Sequence, residues 1–262
     1  MTGSASVLAP LRARYASWLS LPEDRVADTS DEDPATVRAM QLVMRIERQD
    51  PPRRTDVLEA AAAAAVAVCL DPRSRPGGEW HDEVAAWVTG RIRKVARRAR
   101  GAHWAAAQDV PGLTVTVGTA QVRALVPGLV SAVPKVISRL QISGTELPAD
   151  DPEPPQPGDG PVLWINPEVP MTVGKAAAQV GHGSMLLASA LGPRRLAEWA
   201  ATGFRCVVRT PSVEHWRQLL PGDDPAGAWE RRRVLAVRDA GYTEIAPGTI
   251  TVLAVDPGGR SG

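Results

Sequence analysis

Short apolar runs alternate with longer alanine-rich stretches along most of this chain. The run at 42–46 reads Leu-Val-Met-Arg-Ile, and residues 55–70 are rich in alanine. Continuous apolar runs of about four to eight residues are typical of buried strands, whereas the longer stretch is typical of a helix. Thr55 is a candidate N-cap, because its side-chain oxygen can accept a hydrogen bond from the first turn. From residue 41 onward the chain therefore predicts strands that alternate with helices.

The same alternation continues to the end of the chain. In the first half it predicts a helix at 80–87, a strand at 92–99, a helix at 102–108, and strands at 113–117 and 122–126. In the second half it predicts a strand at 162–165, helices at 174–191 and 193–200, a strand at 204–209, a helix at 213–220, and strands at 233–237 and 252–255. Strands that alternate with helices and end in a hairpin predict an α/β fold, a three-layer α/β/α sandwich on a mixed four-stranded sheet.

Two segments fall outside this alternation. Residues 1–36 carry one amphipathic helix pattern at 11–19, followed by an acidic, turn-forming segment at 22–34. The Asp- and Pro-rich segment at 148–160 has almost nothing to bury, which is typical of a linker. The predicted organisation is an N-terminal arm at 1–36, a domain at 37–147, a linker at 148–160 and a second domain at 161–262.

The two predicted domains share residues at fixed offsets. The pairs at an offset of 112 are Trp87 with Trp199, Val95 with Val207, Arg97 with Arg209, His103 with His215 and Trp104 with Trp216. At an offset of 120, Leu42 falls on Val162 and Pro127-Gly128 falls on Pro247-Gly248. We therefore predict that the chain holds two copies of one fold, arranged as an intrachain pseudo-dimer.

Composition narrows the classes of function. The 262 residues include 30 Lys and Arg and 29 Asp and Glu, so binding of a nucleic acid would need a local basic patch. Cys69 and Cys206 each lie in an apolar run, which predicts small buried side chains and no disulfide or zinc site. The first residues lack a secretory-signal pattern, and no apolar run is long enough to cross a membrane. These features predict a soluble, cytoplasmic protein without a membrane partner.

A polar stripe marks the start of the helix predicted at 174–191. Its sequence is Gly174-Lys175-Ala176-Ala177-Ala178-Gln179-Val180-Gly181-His182. Lys175, Gln179 and His182 share one helical face. A lysine in the first turn adds to the positive potential of the helix N-terminus, which suits a bound anion or a developing oxyanion. Each residue alone also has a plain interpretation, Lys175 as a solvated surface lysine and His182 as a satisfied core histidine.

The connection between the last two predicted strands is unusually polar for a turn. It contains the carboxylate of Asp239, two glycines and three threonines, and it ends at Thr251. Asp239 follows a strand directly, where it can orient a water molecule or pair with Lys175. Thr243 and Thr251 would offer hydroxyl groups to the same crevice. The alternatives are an Asx turn for Asp239 and ordinary strand positions for the threonines.

Together the two polar segments closely resemble the motifs of the type 2, archaeal and eukaryotic, peptidyl-tRNA hydrolase family. The family's Gly-Lys-x-Ala-Ala-Gln-x-x-His helix start stands here at 174–182, and its Asp-Ala-Gly-x-Thr-x-Ile-x-x-Gly-Thr-x-Thr segment stands at 239–251. The resemblance covers about residues 161–257. This chain departs from the family at Gly183, where alanine is usual, and in an acidic insertion at 221–228.

The resemblance implies hydrolysis of the ester between a peptide and the 3′ ribose of tRNA, which recycles the tRNA and needs no metal or other cofactor. Asp239 would position the attacking water, while Lys175 would stabilise the oxyanion or a tRNA phosphate. The implied catalytic residues are Lys175, Asp239, Thr243 and Thr251. The implied substrate-binding residues are Gly174, Gln179, His182, Ala240, Gly241 and Thr249.

The first copy lacks these chemical groups. At the offset of 120, the residues in place of Lys175, His182, Asp239 and Thr243 are Thr55, Ala62, Thr119 and Arg123. The first copy is therefore predicted to be degenerate. Members of the family are commonly homodimers, so both a homodimer and a self-contained pseudo-dimer stay open.

A dense basic run lies in the degenerate copy. Its members are Arg91, Arg93, Lys94, Arg97, Arg98 and Arg100. One interpretation is an edge strand whose charges prevent aggregation. The other is a phosphate-binding patch for the tRNA acceptor arm, with Arg93, Arg97 and Arg98 as contacts. Two further functions also stay open, a non-catalytic RNA-binding or interaction module derived from the family and a hydrolase for a different acyl-RNA ester.

Overall fold

A computed structural model of the protein describes residues 6–142, 146–156, 158 and 160–258. The helices up to residue 142 are α1 (Ala9–Ser20), α2 (Glu23–Val26), α3 (Arg54–Leu70), α4 (His81–Thr89), α5 (Gly101–Ala107) and α6 (Lys135–Ser138). The strands there are β1 (Arg38–Arg45), β2 (Arg93–Ala99), β3 (Gly112–Val117), β4 (Ala120–Leu125) and β5 (Gly128–Leu129). The second half contains α7 (Val173–Ala190), α8 (Pro193–Ala201), α9 (Val213–Leu219), α10 (Pro225–Arg232), β6 (Val162–Ile165), β7 (Val207–Arg209), β8 (Val234–Arg238) and β9 (Ile250–Val255).

The two halves form two mixed sheets with the same strand order. The first sheet runs β2-β1-β4-β3, and the second runs β7-β6-β9-β8. In each sheet the first pair is parallel and the other neighbours are antiparallel. The predicted α/β fold on mixed sheets is confirmed. The predicted strand number is right for the second sheet, whereas the first gains the short strand β5, which pairs with β1.

Alternation along the strands places helices on both faces of each sheet. In β1, Leu42 and Met44 face the main core, while Val43 faces a smaller cluster that includes Trp104 of α5 and Ile137 of α6. In the second sheet, Val234, Ala236 and Leu253 likewise face Trp216 of α9, whereas their neighbours in sequence face the main core. Successive strand residues point to opposite faces, so this alternation produces the predicted helix–sheet–helix layering.

Helices α3 and α7 pack against each other between the two sheets. Ser184 Oγ donates to Ala62 O at 2.7 Å, and a Cβ on Gly181 would lie 3.2 Å from the Cβ of Ala65. Small residues let two helices approach closely at such a crossing. The main hydrophobic core is continuous through both halves. The two sheets and this shared central layer match the predicted duplicated arrangement, whereas the domain boundaries stay a prediction.

Several local predictions are wrong. Arg53 stands at the N-cap of α3, so Thr55 lies inside the helix. Strand β1 begins at Arg38, before the predicted start at 42, and β7 is shorter than predicted, with Phe204 at a positive φ of 59°. The segment at 221–228 contains the start of α10, which was not predicted.

The offset of 120 fails in the last hairpin of each half. Strands β4 and β9 occupy the same place in the two sheets. Pro127-Gly128 follows β4, whereas Pro247-Gly248 precedes β9, so that match is a coincidence. Arg123 lies inside β4 opposite Val43, so it is not the counterpart of Thr243. Thr119 in the β3–β4 turn remains the topological counterpart of Asp239.

The N-terminal helix docks on the edge strand β8. Leu8, Leu11 and Tyr15 are buried in the main core. The Tyr15 hydroxyl accepts a hydrogen bond from Ala236 N at 2.7 Å. An unpaired edge strand exposes backbone groups that invite association with another chain. Helix α1 covers part of this edge, so residues 9–20 belong to the folded body.

Three general features follow from the described residues. Cys69 and Cys206 are buried and unpaired, as predicted, and burial raises the pKa of Cys69 to about 12. Within the described ranges, no three His, Cys, Asp or Glu side chains are grouped so that they could hold a metal ion. Across the same ranges, no helix combines the length and the apolar composition that a membrane crossing requires.

Candidate active site

Helix α7 begins with a side-chain cap that fixes the base of Lys175. Thr172 Oγ1 accepts a hydrogen bond from Lys175 N at 3.2 Å. The same hydroxyl donates to Glu244 Oε1 at 2.8 Å, which joins the helix start to the loop between β8 and β9. Caps of this kind typically stabilise a helix by about 1 kcal/mol. The capped turn sets the position from which the Lys175 side chain projects.

Lys175 and Asp239 form a buried ion pair at the C-terminal end of β8. Lys175 Nζ donates to Asp239 Oδ2 at 2.6 Å and to Thr243 Oγ1 at 2.8 Å. The Lys175 and Asp239 side chains are 11% and 6% exposed. An ammonium group has three N–H bonds. Because the described residues use two of them, the third can point to a bound anion.

Gln179 binds the same carboxylate from the next turn of the helix. Its Nε2 donates to Asp239 Oδ2 at 2.7 Å, and its Oε1 accepts from Thr251 Oγ1. Gln179 and Thr251 are buried. Since buried amides are costly when a partner is missing, this chain of contacts holds the Asp239 carboxylate in one orientation.

A β-bulge brings Thr251 to Gln179. Val237 pairs with Val252, whereas the next residue, Arg238, pairs with Ile250, so Thr251 is the extra residue on β9. Bulges break the strand alternation, re-aim a side chain and occur frequently beside active sites. Thr251 is fully buried as a result. Sequence alternation alone cannot predict this orientation.

The loop after β8 holds Asp239 through its backbone. Asp239 Oδ1 accepts from Gly241 N at 2.8 Å, and Asp239 N donates to Thr249 O at 2.8 Å. Gly241 has a φ of +81°, and a Cβ there would lie 2.4 Å from the Pro247 ring. Both the conformation and the space therefore require glycine. Asp239 makes a local Asx-type turn and the ion pair at once, so the two interpretations of this residue are compatible.

His182 faces the first half of the chain. Its Nδ1 lies 2.9 Å from Lys94 Nζ on β2. Burial, with smaller contributions from the charges of Lys94 and Lys175, lowers the pKa of His182 well below its ordinary value, so the ring is neutral at neutral pH. Burial also lowers the pKa of Lys94 to about 7. Lys175 and Gln179 therefore meet at Asp239, while His182, one turn further on, meets Lys94.

Three other residues predicted to bind substrate shape the backbone around the pair. Gly174 packs α7 against β2, since a Cβ there would lie 3.4 Å from the Cβ of Ala96. Ala240 is partly exposed directly after Asp239. Thr249 supplies the carbonyl that accepts from Asp239 N. Direct contact of these residues with a substrate stays a prediction.

Arg97 is unsuited to the phosphate contact predicted for it. The residue is 7% exposed, and it donates to Gln41 Oε1 at 2.7 Å and to Leu140 O at 3.0 Å. Burial lowers the pKa of its guanidinium. Its hydrogen bonds hold the first half together, and the side chain cannot reach a phosphate without breaking them.

Arg93 and Arg98 lie closer to solvent on the same strand. Arg93 forms a two-pronged ion pair with Glu32, with contacts of 2.7 and 2.5 Å. Arg98 Nη2 donates to Gln141 Oε1. Both side chains are therefore partnered within the chain, and contact with RNA stays a prediction for each.

Sequence reasoning missed two contributors to the site. Thr172 precedes the helix predicted at 174–191 and could have been found as an N-cap, because threonine is favoured there. Lys94 was seen only as part of the basic run. Its contact with His182 depends on how α7 packs across β2, for which the sequence carries no signal.

Comparison with known proteins finds relatives of the second half. The family model described as Peptidyl-tRNA hydrolase PTH2 matches residues 161–261. A peptidyl-tRNA hydrolase of Haloquadratum walsbyi is 36% identical over 89 residues, which are 33% of this chain and 75% of that protein. One from Thermococcus onnurineus is 33% identical over 101 residues, 37% of this chain and 81% of the relative.

A mammalian relative matches over the same part of the chain. The mitochondrial peptidyl-tRNA hydrolase 2 of Bos taurus is 34% identical over 101 residues, 37% of this chain. That match spans 54% of the bovine protein, about half of its length. No solved structure matches the chain.

Proposed function

The chain belongs to the peptidyl-tRNA hydrolase PTH2 family, and from that premise we propose that it hydrolyses the ester joining a peptide, or an N-blocked amino acid, to the 3′ ribose of tRNA. The observation that carries this proposal is the 2.6 Å contact between Lys175 Nζ and Asp239 Oδ2, which joins the two polar segments in one site. Peptidyl-tRNA is the proposed substrate, and the reaction returns free tRNA for reuse.

In this reaction Asp239 orients the attacking water. Its Oδ2 accepts from Lys175 and Gln179, while Oδ1 accepts from one backbone N–H. A carboxylate oxygen can accept more than one hydrogen bond, so Oδ1 can also accept a hydrogen bond from the water. The water oxygen then forms a bond to the ester carbonyl carbon as the Asp239 carboxylate accepts the proton that the water loses.

Lys175 stabilises the negative charge that develops on the carbonyl oxygen. Its ammonium group lies in the first turn of α7, where the helix N-terminus adds positive potential. When the tetrahedral intermediate collapses, the bond to the ribose oxygen breaks and that oxygen takes the proton held by Asp239. The products are a peptide carboxylate and a tRNA with a free 3′ hydroxyl.

Gln179, Thr251 and Thr243 support the pair. Gln179 and Thr251 are buried behind Asp239, so they act as positioning residues. Thr243 is exposed beside Lys175 Nζ and can touch a substrate at the mouth of the site. His182 and its partner Lys94 extend the polar surface by one further helical turn.

We also infer that the first half is a degenerate copy of the second. The same strand order in both sheets supports this inference. So does a repeated contact, since Trp87 Nε1 donates to Arg93 O at 3.1 Å and Trp199 Nε1 donates to Arg205 O at 2.6 Å. A self-contained pseudo-dimer with one live site, working in the cytoplasm, is part of the same proposal.

The test is release of free tRNA from N-blocked aminoacyl-tRNA. Asp239→Ala should lower the rate by about 100-fold or more, because it removes the group that orients water and pairs with Lys175. Thr119→Ala, at the topological counterpart in the first half, is the matched control and should keep wild-type activity. An Asp239→Ala protein that folds and retains full activity would contradict the proposal.

The same assay separates the alternative functions. A wild-type protein that binds tRNA but releases none from the ester would be the RNA-binding module. Release from other acyl-RNA esters, with none from peptidyl-tRNA mimics, would identify the hydrolase with a different substrate.

A further inference from the structure

Next to the candidate active site, the N-terminal segment covers two arginines of the first half. Arg93 is the first residue of β2, and Arg91 lies just before the strand. Arg93 Nη1 and Nη2 contact the two carboxylate oxygens of Glu32 at 2.7 and 2.5 Å. Arg91 Nη2 lies 2.9 Å from Asp31 Oδ1, and Arg91 Nη1 lies 3.3 Å from Glu32 Oε1. In the described part of the chain, every ion pair of these arginines is made with residues 31 and 32.

Arg93 contacts the loop between β8 and β9, residues 239–249, through Tyr242. The Arg93 guanidinium carbon lies 4.8 Å from the centroid of the Tyr242 ring. Tyr242 is 41% exposed, and it immediately precedes Thr243, whose hydroxyl contacts Lys175 Nζ. A guanidinium fork beside an exposed aromatic ring is a typical arrangement for binding the phosphates and unstacked bases of single-stranded RNA.

Nitrogen-bearing side chains form a row along α7 and β2. Lys175 lies at one end of the row, and His182 with its partner Lys94 lies seven residues of helix further on, about 10 Å away. Arg93 is the neighbour of Lys94 in sequence and carries the Tyr242 contact. The carboxylate on Lys175 is Asp239, a member of the site, whereas the carboxylates on Arg91 and Arg93 come from the N-terminal segment.

The segment that covers the two arginines is held by polar contacts. We name residues 27–33, Ala-Asp-Thr-Ser-Asp-Glu-Asp, the acidic strap. It contains no large apolar side chain, and it forms neither a helix nor a strand. The buried Val26 precedes it, so the anchor lies outside the strap. A segment held by polar contacts alone opens at little cost compared with one that is packed in a core.

We propose that Arg91, Arg93 and Tyr242 form a subsite for the phosphates and terminal base of the tRNA 3′ end, and that the acidic strap occupies this subsite in the free protein. The proposal rests on the proposed function, because it takes the scissile ester to lie at Lys175 and Asp239. Glu32 presents to Arg93 the two oxygens that a phosphate would present. The tRNA end would displace the strap and take over its contacts.

The experiment measures the affinity of the full chain for deacylated tRNA at low salt. Asp31→Asn with Glu32→Gln removes the competing charges, and we expect binding to tighten by about fivefold or more. Glu23→Gln with Asp24→Asn is the matched control. It makes the same change of charge on α2, where neither residue forms an ion pair within the described ranges. The control should change the affinity by less than about twofold.

Arg93→Gln gives the second arm. It should weaken binding by about fivefold, and in its presence the two strap substitutions should tighten binding less, because Arg91 is then the one arginine of the subsite that they uncover. The proposal would be overturned if the strap substitutions tightened binding no more than the control does. It would also be overturned if they tightened binding equally in the presence and absence of Arg93. Deacylated tRNA carries no ester, so this assay tests binding alone. The subsite proposal can therefore be wrong while hydrolysis is observed, and hydrolysis can be absent while the subsite proposal is supported.

Hydrogen exchange on the wild-type protein provides a readout that needs no variant. If tRNA displaces the strap, its addition should speed exchange at residues 27–33 while slowing it at Tyr242. Slower exchange at both places would show that the strap stays in position, and the proposal would be wrong.

Discussion

The two halves of the molecule place different chemistry at the same point of one topology. In the second half, the Thr172 hydroxyl caps α7 and leaves the Lys175 ammonium group beside Asp239. In the first half, the N-terminus of α3 is closed by the carboxylate of Asp150. Asp150 accepts from Thr55 N at 3.0 Å and from Thr55 Oγ1 at 2.7 Å. An acid thus fills the helix start where the other half can hold an anion.

The hairpins beyond these helices differ in the same way. Strands β3 and β4 are joined by Gly118 and Thr119 alone, and Thr119 N donates to Asp56 Oδ2 at 2.9 Å. Strands β8 and β9 are joined by residues 239–249, which include Asp239 and Thr243 of the candidate site. Both connections join neighbouring strands in sheets that have the same strand order. The fold therefore needs only a short turn here, and we propose that the long loop serves the hydrolysis.

The largest difference between the two halves is expected when a glycine is replaced by alanine in each of the two hairpins. Gly241→Ala should lower hydrolysis by about 10- to 100-fold, because the loop must shift to relieve a positive φ and the contact with Pro247, and a shift of about 1 Å can misplace a catalytic group. Gly118→Ala meets a similar strain, with a φ of +49° and a close contact to Asp56. It should cost stability and leave hydrolysis unchanged.

The paired measurements are hydrolysis rate and thermal unfolding for both variants. Each alanine should destabilise the protein by about 1–3 kcal/mol through its backbone strain. An equal loss of activity in the two variants would mean that the first hairpin also takes part in the reaction.

In each half, a side chain of the central helix contacts a strand of the other half, but the two contacts differ in charge. Glu59 on α3 reaches β7, where its Oε1 accepts from Val208 N at 3.0 Å and from Arg209 Nη1 at 2.8 Å. His182 on α7 reaches β2, where it meets Lys94. The first contact joins an acid to a base. The second joins two bases, and burial makes the lysine costly to protonate in the folded state.

A smaller expected effect is a pH dependence of the free energy of unfolding that comes from Lys94. The pKa of Lys94 is lowered by burial from 10.5 to about 7, and the titratable groups that act on or contact it are Cys69 and His182. Between these two values the unfolded chain binds a proton that the folded chain does not. The contribution of Lys94 to the free energy of unfolding therefore rises with pH above about 7, by at most about 1.4 kcal/mol per pH unit, and is lost below it.

Chemical denaturation of the wild type and Lys94→Met checks this sign. The wild type should gain stability relative to the variant as the pH rises from about 7 to about 9. The difference between the two proteins isolates Lys94 from other groups that titrate in this range. A difference that does not change with pH would show that the lysine is not held in an environment that opposes its charge.

Much of the fold could be predicted because apolar periodicity reports burial directly. The strand at 162–165 and the helices at 55–70 and 174–191 agree with the structure to within about two residues. Helix α10 was missed because its Gly, Pro and charged residues resemble a loop. The mistaken pairing of Pro127-Gly128 with Pro247-Gly248 arose because a fixed offset cannot follow hairpins of unequal length.

The candidate site was predictable in its residues but less so in its geometry. Helical spacing indicated that Lys175 and Gln179 share a face, and both meet Asp239. The contact between Thr251 and Gln179 depends on a bulge that shifts register by one residue. The burial of Arg97 depends on packing between distant segments, so a basic run could not reveal which of its members faces solvent.

The most direct test of the central claim is a double-mutant cycle on the pair that joins the two polar segments. Hydrolysis of N-blocked aminoacyl-tRNA would be measured for Lys175→Ala, Asp239→Ala and the double variant, with unfolding curves to confirm that each is folded. If the two residues act as one unit, each single variant loses about 100-fold or more, and the double variant is no slower than the worse single. Losses that multiply in the double variant, or full activity in either single, would contradict the account.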